Sequence, residues 1–419
     1  MKPAIVWTVG GSDSSSGAGV QADILTIDAF SVHACSVIVA LTAQSTLGVE
    51  AIEPVSQSMI SNQMRALASD LPATAVKLGM LYGRQQIETV ASALKNVQAK
   101  IVLDPVLAAT SGDSLSQSDC ARYLMSELLP LADLITPNLE ESGRLLAAVS
   151  KSTSDSLSDV SANDNQVNID LMIESMGQRF LECGAKAVLI KGGHRQSEFS
   201  QDFYTDGNVT FWLTSPRQYL GEIHGSGCAI ASAIAAGLAE GLALPDAIVR
   251  AKTYLNQCIR DSKALGSGAL LLGKEKFDPR EEDIPKLTSN AEEGRIKNEL
   301  DLTRGPLRSQ EQSTEATSDA ASGGGRFGKT IGAYPIVDRA FWIKRLALCG
   351  IKTIQIRIKD LAGEELLAEL KQAVSAAREC SVDLYINDFW REALLLGASG
   401  VHLGQGDLES ADRSTIRAS

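Results

Sequence analysis

The chain has 419 residues, 44% of them hydrophobic, and 39 Lys and Arg against 51 Asp and Glu give a net charge of −12. That length allows two domains or more. The negative balance argues against a broad nucleic-acid or anionic-membrane surface, though not against a local basic pocket for phosphate. Seven cysteines are scattered without Cys-x-x-Cys or Cys/His ligand spacing. A zinc site or a disulfide framework is therefore not expected, and a reducing cytoplasm fits best. Cys35, Cys120, Cys183, Cys258, Cys349 and Cys380 are expected as small buried hydrophobes. The apolar start at Met1–Trp7 is too short for a signal peptide, and no run of about 18 apolar residues suggests a membrane span.

Ala4-Ile-Val-Trp-Thr-Val reads as a buried strand. It runs into the loop Gly10-Gly11-Ser-Asp13-Ser-Ser-Ser-Gly-Ala-Gly19, and helical spacing follows from Val20 through Asp23 to Phe30. Strand, glycine-rich loop and helix form a unit that binds ligands at strand carboxyl ends. Small residues beside Asp13 and Asp23 suit a hydroxyl-bearing substrate. The strand Ser36–Ser45 ends near Gln44, whose amide both donates and accepts and so can read a ligand edge that offers both. Ala75-Val-Lys-Leu-Gly79-Met80 begins another strand–turn unit, in which Met80 could pack on a flat ring.

Lys100-Ile-Val-Leu-Asp104 is a further strand, with Asp104 at its carboxyl end, a placement suited to magnesium or phosphate chemistry. Ala132–Thr136 is another. After it Pro137 breaks the strand and Asn138-Leu-Glu-Glu141 can cap a helix. Ser150–Asn168 reads as a polar surface loop. Ala185–Lys191 is a strand placing Lys191 beside two glycines, where a point charge suits phosphate. Asp206-Gly207 marks a hairpin turn between alternating apolar residues.

The most informative stretch is His224-Gly225-Ser226-Gly227-Cys228, which opens an Ala-rich helix. A helix start offers unpaired N–H groups and partial positive charge to an anion. It is not a Walker A loop, since no Gly-Lys-Ser/Thr follows. Alternation of strands and helices across residues 1–272 predicts a doubly wound α/β sheet.

His-Gly-Ser-Gly-Cys, Gly-Gly-Ser-Asp-Ser-x-x-Gly-Ala-Gly, Gln-Ala-Asp and Asn-x-x-Glu together resemble hydroxymethylpyrimidine and phosphomethylpyrimidine kinases of the ribokinase-like superfamily. The resemblance covers nearly all of residues 1–272. It implies an anion hole at Gly225, Ser226, Gly227 and Cys228, with Lys191 on the transferring phosphate. Gln44, Gly11, Asp23 and Met80 would hold the pyrimidine. Asp104, Asn138 and Glu141 would organise ATP and Mg²⁺. The implied activity is ATP-dependent phosphorylation of 4-amino-5-hydroxymethyl-2-methylpyrimidine, then of its monophosphate, in a cytoplasmic enzyme of thiamine biosynthesis. Homodimerisation is suggested by the resemblance alone. Whether Cys228 acts as a base or only through its amide stays open. The alternatives are a pyridoxal kinase of the same superfamily and a non-catalytic pyrimidine-binding protein.

Residues 273–330 are polar with a Gly323-Gly-Gly run, and read as a largely flexible linker. Strand–helix repetition resumes over residues 331–419, the pattern of a TIM barrel, here about four units long. Gln355, Arg357 and Lys359 alternate, so they are expected on one face as a pyrophosphate clamp. Gln-x-Arg-x-Lys-Asp, Ile-Asn387-Asp388 and Gly-Val-His-Leu-Gly-Gln-x-Asp407 resemble thiamine phosphate synthase. By that resemblance Asn387 joins the pyrophosphate site, and Asp388 and Asp407 hold magnesium. Four strands fall short of the family's eight, so this segment alone is expected to be inactive.

Overall fold

The computed structural model describes residues 4–108, 112–113, 115–149, 166–193, 197–218, 221, 223–295, 335–348 and 351–402. Of the loop expected at Ser150–Asn168, residues 150–165 lie outside the described residues, as do Cys349 and Asp407, while 166–168 belong to a helix rather than to a loop.

The first unit is built on a ten-stranded sheet. Its strands are β1 (Ile5–Asp13), β2 (His33–Gln44), β3 (Val49–Pro54), β4 (Ala75–Leu78), β5 (Lys100–Leu103), β6 (Leu134–Ile135), β7 (Val188–Ile190), β8 (Phe199–Thr205) and β9 (Thr210–Pro216). The short β10 (Ile223–His224) and β11 (Leu270–Leu271) pair with each other, and β12 (Lys286–Thr288) closes the large sheet. The order across the sheet is β12-β9-β8-β7-β6-β5-β4-β1-β2-β3. The central strands from β7 to β2 are parallel, and the outer pairings are antiparallel. The hairpin predicted at Asp206-Gly207 is the β8–β9 connection, with Gly207 at φ +85°.

Helices α1 (Gly19–Ala29), α2 (Gln57–Asp70), α3 (Arg84–Leu94), α4 (Cys120–Tyr123), α5 (Leu139–Val149), α6 (Gln166–Glu182), α7 (Ser226–Ala239), α8 (Leu244–Arg260) and α9 (Ala291–Arg295) accompany these strands. In the chain β1 is followed by β2 on one side and later by β4 on the other, so the winding direction reverses at β1. The carboxyl ends of β1 and β4 thus flank a crevice where open α/β sheets bind ligands. Helix α7 is buried along Ala229–Leu238. A helix apolar all round belongs inside the protein, and its small side chains let it lie close against α1 and α8.

The first unit extends past Leu272, the boundary read from composition. The Phe277 ring packs at a tilt against Phe30 with centroids 5.3 Å apart, β12 pairs antiparallel with β9, and Arg295 bonds Asp170 at 2.6 Å. Few apolar residues were needed, because the Gln201 amide binds Ala291 O at 2.8 Å and Leu287 is buried in the sheet. Cysteine placement also departs from expectation: Cys35, Cys120 and Cys258 are buried, whereas Cys183 is exposed and Cys380 half-buried.

The second unit has β13 (Ile336–Val337), α10 (Phe341–Leu348), β14 (Thr353–Ile356), α11 (Gly363–Cys380), β15 (Asp383–Asn387), α12 (Trp390–Leu396) and β16 (Gly400–His402). Its strands are parallel and lie in chain order, β13-β14-β15-β16, the arrangement of a barrel wall. Buried Trp342 on α10 meets Phe211 of β9 edge-on at 5.4 Å, so the two units share apolar contacts.

Candidate functional site

One cleft of about 680 Å³ runs along the carboxyl ends of the central strands. It is lined by Gly11, Asp23, Gln44, Met80, Asp104, Asn138, Glu141, Lys191 and Gly225–Cys228. Every first-domain site residue expected from the sequence therefore reaches the same cavity.

One end of the cleft is built where two helix starts meet. Gly225 caps α7 at φ +85°, a left-handed conformation suited to glycine. A Cβ there would come within 2.0 Å of Gly17 O, so the loop before α1 and the loop before α7 touch backbone to backbone. A Cβ on Gly227 would lie 3.0 Å from Lys191 Nζ and 3.7 Å from Asp104 Oδ2. The α7 N-terminus therefore faces a cation and a carboxylate at close quarters.

Lys191 Nζ donates to Asp104 Oδ1 at 2.7 Å. Burial opposes the Lys191 charge, but Asp104 and Glu141 outweigh it and raise its pKa. Among the described residues Asp104 Oδ2 is buried without a hydrogen-bond partner, a costly arrangement unless a cation or ligand donor completes it. Glu141 is pushed up to about 7, chiefly by burial, with Lys191 opposing and Asp104 reinforcing the rise. The capping expected at Asn138 is present: Glu141 N–H donates to Asn138 Oδ1 and Asn138 N–H donates to Glu141 Oε2, each at 2.8 Å. Among the described residues no cluster of three or more His, Cys, Asp or Glu could hold a metal alone. Two carboxylates beside a phosphate pocket nevertheless fit Mg²⁺, which keeps waters and binds through substrate phosphates.

Cys228 stands half-buried at the start of α7. Burial pushes its thiol up to about 11, against the opposing charge of Lys77. Near neutral pH it is a thiol.

Asp23 has a different position from a substrate ligand. It is wholly buried, and both oxygens are occupied. Lys77 Nζ donates at 2.9 and 2.8 Å, Ser232 Oγ at 2.7 Å and Thr8 Oγ1 at 2.6 Å. Lys77, which sequence reading passed over as an interior strand residue, lines the cleft floor beneath Gly79. A Lys in the buried run Ala75–Leu78 was the available signal, because a charge in such a strand needs a partner.

At the other end, Gly11 and Met80 form one surface: a Cβ on Gly11 would meet Met80 Sδ at 2.8 Å. The Gln44 backbone is held by Ser14 Oγ, which accepts from Gln44 N at 2.9 Å and donates to Gln44 O at 2.7 Å. The Gln44 amide reaches His224 Nε2 at 3.0 Å and Thr42 Oγ1 at 3.2 Å. His224 Nε2 also lies 3.1 Å from Asp13 Oδ2. His224 opens the motif read from the sequence, but its side chain was given no role there, since nothing local shows what the ring would contact.

In the second unit Gln355 is buried and its amide donates to Asn387 Oδ1 at 2.6 Å. The strand carrying Gln355 stops at Ile356, so Arg357 and Lys359 follow it rather than extend it, and Lys359 is exposed. Arg357 N–H still donates to Val337 O at 2.7 Å, so the pairing with β13 continues one residue past the end of β14. Asp388 closes β15 at φ +66°.

Residues 13–272 match the phosphomethylpyrimidine kinase family and residues 333–419 match the thiamine monophosphate synthase family. A hydroxymethylpyrimidine/phosphomethylpyrimidine kinase of Rhizobium meliloti (strain 1021) is 40% identical over 265 residues, covering 63% of this chain and 94% of that one. A chloroplastic thiamine biosynthetic bifunctional enzyme of Arabidopsis thaliana is 33% identical over 407 residues, covering 96% of this chain and 70% of that one. Among solved structures, an ADP complex of Bacillus subtilis pyridoxal kinase superposes with a TM-score of 0.56 at 27% identity, covering 66% of this chain and 99% of that one. Among the described residues no helix is long and apolar enough to cross a membrane. With its kinase match spanning the sheet, the crevice and the α7 N-terminus, the chain belongs to the phosphomethylpyrimidine kinase family and carries a thiamine monophosphate synthase-like segment behind it.

Proposed function

We propose that this chain is an ATP-dependent kinase that phosphorylates 4-amino-5-hydroxymethyl-2-methylpyrimidine and then its monophosphate, giving the diphosphate used in thiamine biosynthesis. One observation carries the reading. The α7 N-terminus, with Lys191 and Asp104 beside it, shares a single cleft with the Gln44, Gly11 and Met80 wall. A ring held at that wall would present its hydroxymethyl oxygen toward the anion site.

In the first step the hydroxymethyl oxygen attacks the γ-phosphorus, the bond to the β-phosphate oxygen breaks, and the hydroxyl proton is lost. In the second, a phosphate oxygen of the product attacks a further ATP. Such transfers need positioning and charge stabilisation more than covalent chemistry. The amides of Gly225–Cys228 are proposed to receive the developing negative charge, and Lys191 to neutralise the transferring group. Asp104 and Glu141 would hold Mg²⁺, which when bound offsets phosphate charge. The raised thiol of Cys228 supports a role through its backbone amide rather than as a base. Gln44 is proposed to read the pyrimidine and Met80 to cover its face.

The likeness to a pyridoxal kinase favours pyridoxal as the second candidate substrate. Purified chain with ATP and Mg²⁺ is given each ring separately, and products are resolved by mass. Pyrimidine mono- and diphosphate are expected. Phosphorylation of pyridoxal alone would overturn the reading. Thiazole phosphate in a parallel tube tests the second unit. Thiamine phosphate appearing there would show that this polypeptide also turns over as a synthase.

A further inference from the structure

The end of β1, the end of β2 and the end of β10 meet at one histidine ring nitrogen. Asp13 Oδ1 accepts from Ser15 N and Ser15 Oγ at 2.8 Å each, and Oδ2 accepts from Ala18 N at 2.8 Å. His224 Nε2, 3.1 Å from the same Oδ2, is the fourth group around this carboxylate. Burial works against the Asp13 charge, but the bonds from His224, Ala18 and Ser15 outweigh it and hold the pKa below the usual carboxylate value. A carboxylate only accepts, so His224 Nε2 must carry a proton and donate.

That proton decides the orientation of Gln44. With the amide nitrogen of Gln44 toward His224, two donors would confront each other at 3.0 Å. A half-turn of the amide puts Oε1 on His224 and the NH₂ group on Thr42 Oγ1, 3.2 Å away. Thr42 can accept there, because its own hydroxyl proton goes to Ser12 O at 3.0 Å. The polarity of an amide is fixed by its network: in this orientation no two donors face each other, and the Nε2–H is shared between Asp13 Oδ2 and Gln44 Oε1.

We propose that Asp13 and His224 form a specificity relay that locks the Gln44 amide with its oxygen toward His224 and its NH₂ toward Thr42. The locked amide has one lone pair and one N–H left for a ligand. Such an edge accepts from an exocyclic amine and donates to the adjacent ring nitrogen, the N=C–NH₂ edge of an aminopyrimidine. A pyridine bearing a hydroxyl lacks that edge and leaves one side of the amide unpaired, which a buried site penalises. His224 is thus a positioning residue acting through Gln44. The inference rests on the proposed pyrimidine kinase reading and extends it to ring discrimination.

The test compares full-length wild type with His224→Asn and Thr42→Val, which loosen the amide from opposite ends. Substrates are the aminopyrimidine, its analogue without the 4-amino group, and pyridoxal. In both variants the preference for the aminopyrimidine over the des-amino analogue is expected to shrink about tenfold, the worth of one hydrogen bond. The loss should appear in KM more than in kcat. Equal losses on both pyrimidines, or selectivity unchanged in both variants, would overturn the relay while leaving the kinase reading intact. A wild type inert toward the pyrimidine would refute the kinase reading itself, and the relay with it. Independently of any variant, ¹⁵N NMR of the wild-type imidazole should show the proton on Nε2; a bare Nε2 overturns the proposal.

Discussion

Lys77 and Asp23 form an ion pair at 2.8 Å with side chains each 1% exposed. Two charges removed from water this far are tolerated only as a hydrogen-bonded pair. Burial opposes the lysine charge, but Asp23 foremost overcomes it and raises the Lys77 pKa. Lys77→Met leaves the Asp23 carboxylate buried with its strongest partner gone, and should cost about 3–5 kcal/mol. Replacing both residues by apolar side chains should recover much of that loss. Urea denaturation of the single and double variants measures both effects. A single-variant cost below about 1 kcal/mol would show that the pair is effectively solvated.

Glu141 gives a pH signature. Its folded value of about 7 lies above the ordinary 4.5. The folded chain therefore holds this proton more tightly than the unfolded chain does. The resulting stability is fully present below about pH 4.5 and is lost as pH rises through about 7. Between pH 5 and 8, without nucleotide, the Tm of wild type should fall more than that of Glu141→Gln. Parallel Tm curves would contradict the raised carboxyl. Turnover should rise through the same range if the ionised carboxylate helps hold Mg²⁺.

Gly225 and Gly227 should differ sharply on substitution. Gly225→Ala forces a left-handed Ala and drives its Cβ into Gly17 O. Loss of about 10²–10³ in kcat is expected, the scale of a lost oxyanion donor. Gly227→Ala meets the movable tip of Lys191 and should cost less. Steady-state kcat on the two proteins decides, and equal effects would count against the two-helix construction of the anion site.

Cys228 should prove dispensable as a side chain. A thiol raised to about 11 is a poor base at neutral pH, and general-base loss typically costs about 10²–10⁴. Cys228→Ser should therefore keep kcat within about tenfold of wild type, well short of that loss. Iodoacetamide should label Cys228 slowly at pH 7 and faster as pH rises. A fall beyond about a hundredfold with rapid neutral-pH labelling would assign the thiolate a catalytic part.

The sequence by itself was sufficient for the doubly wound sheet, the Asp206-Gly207 hairpin and the glycine turn that opens α7. Each is a local signal: an apolar run, a turn dipeptide, a glycine pair before an alanine-rich helix. It also named the cleft residues, since side chains at carboxyl ends of parallel strands are brought to one edge by topology. Tertiary structure decided what strand periodicity cannot encode. Asp23 looked open to substrate, but the chain folds Lys77 from a distant strand onto both its oxygens. His224 opened a recognisable motif, but only the fold shows that its ring joins Asp13 to Gln44 across the ends of separate strands. The stretch from Phe277 to Arg295 was read as linker because it is polar, but polar residues hold it to the sheet through hydrogen bonds and β-pairing. Hydrophobic patterning reports which residues avoid water; which polar groups satisfy one another depends on contacts made only after the chain has folded.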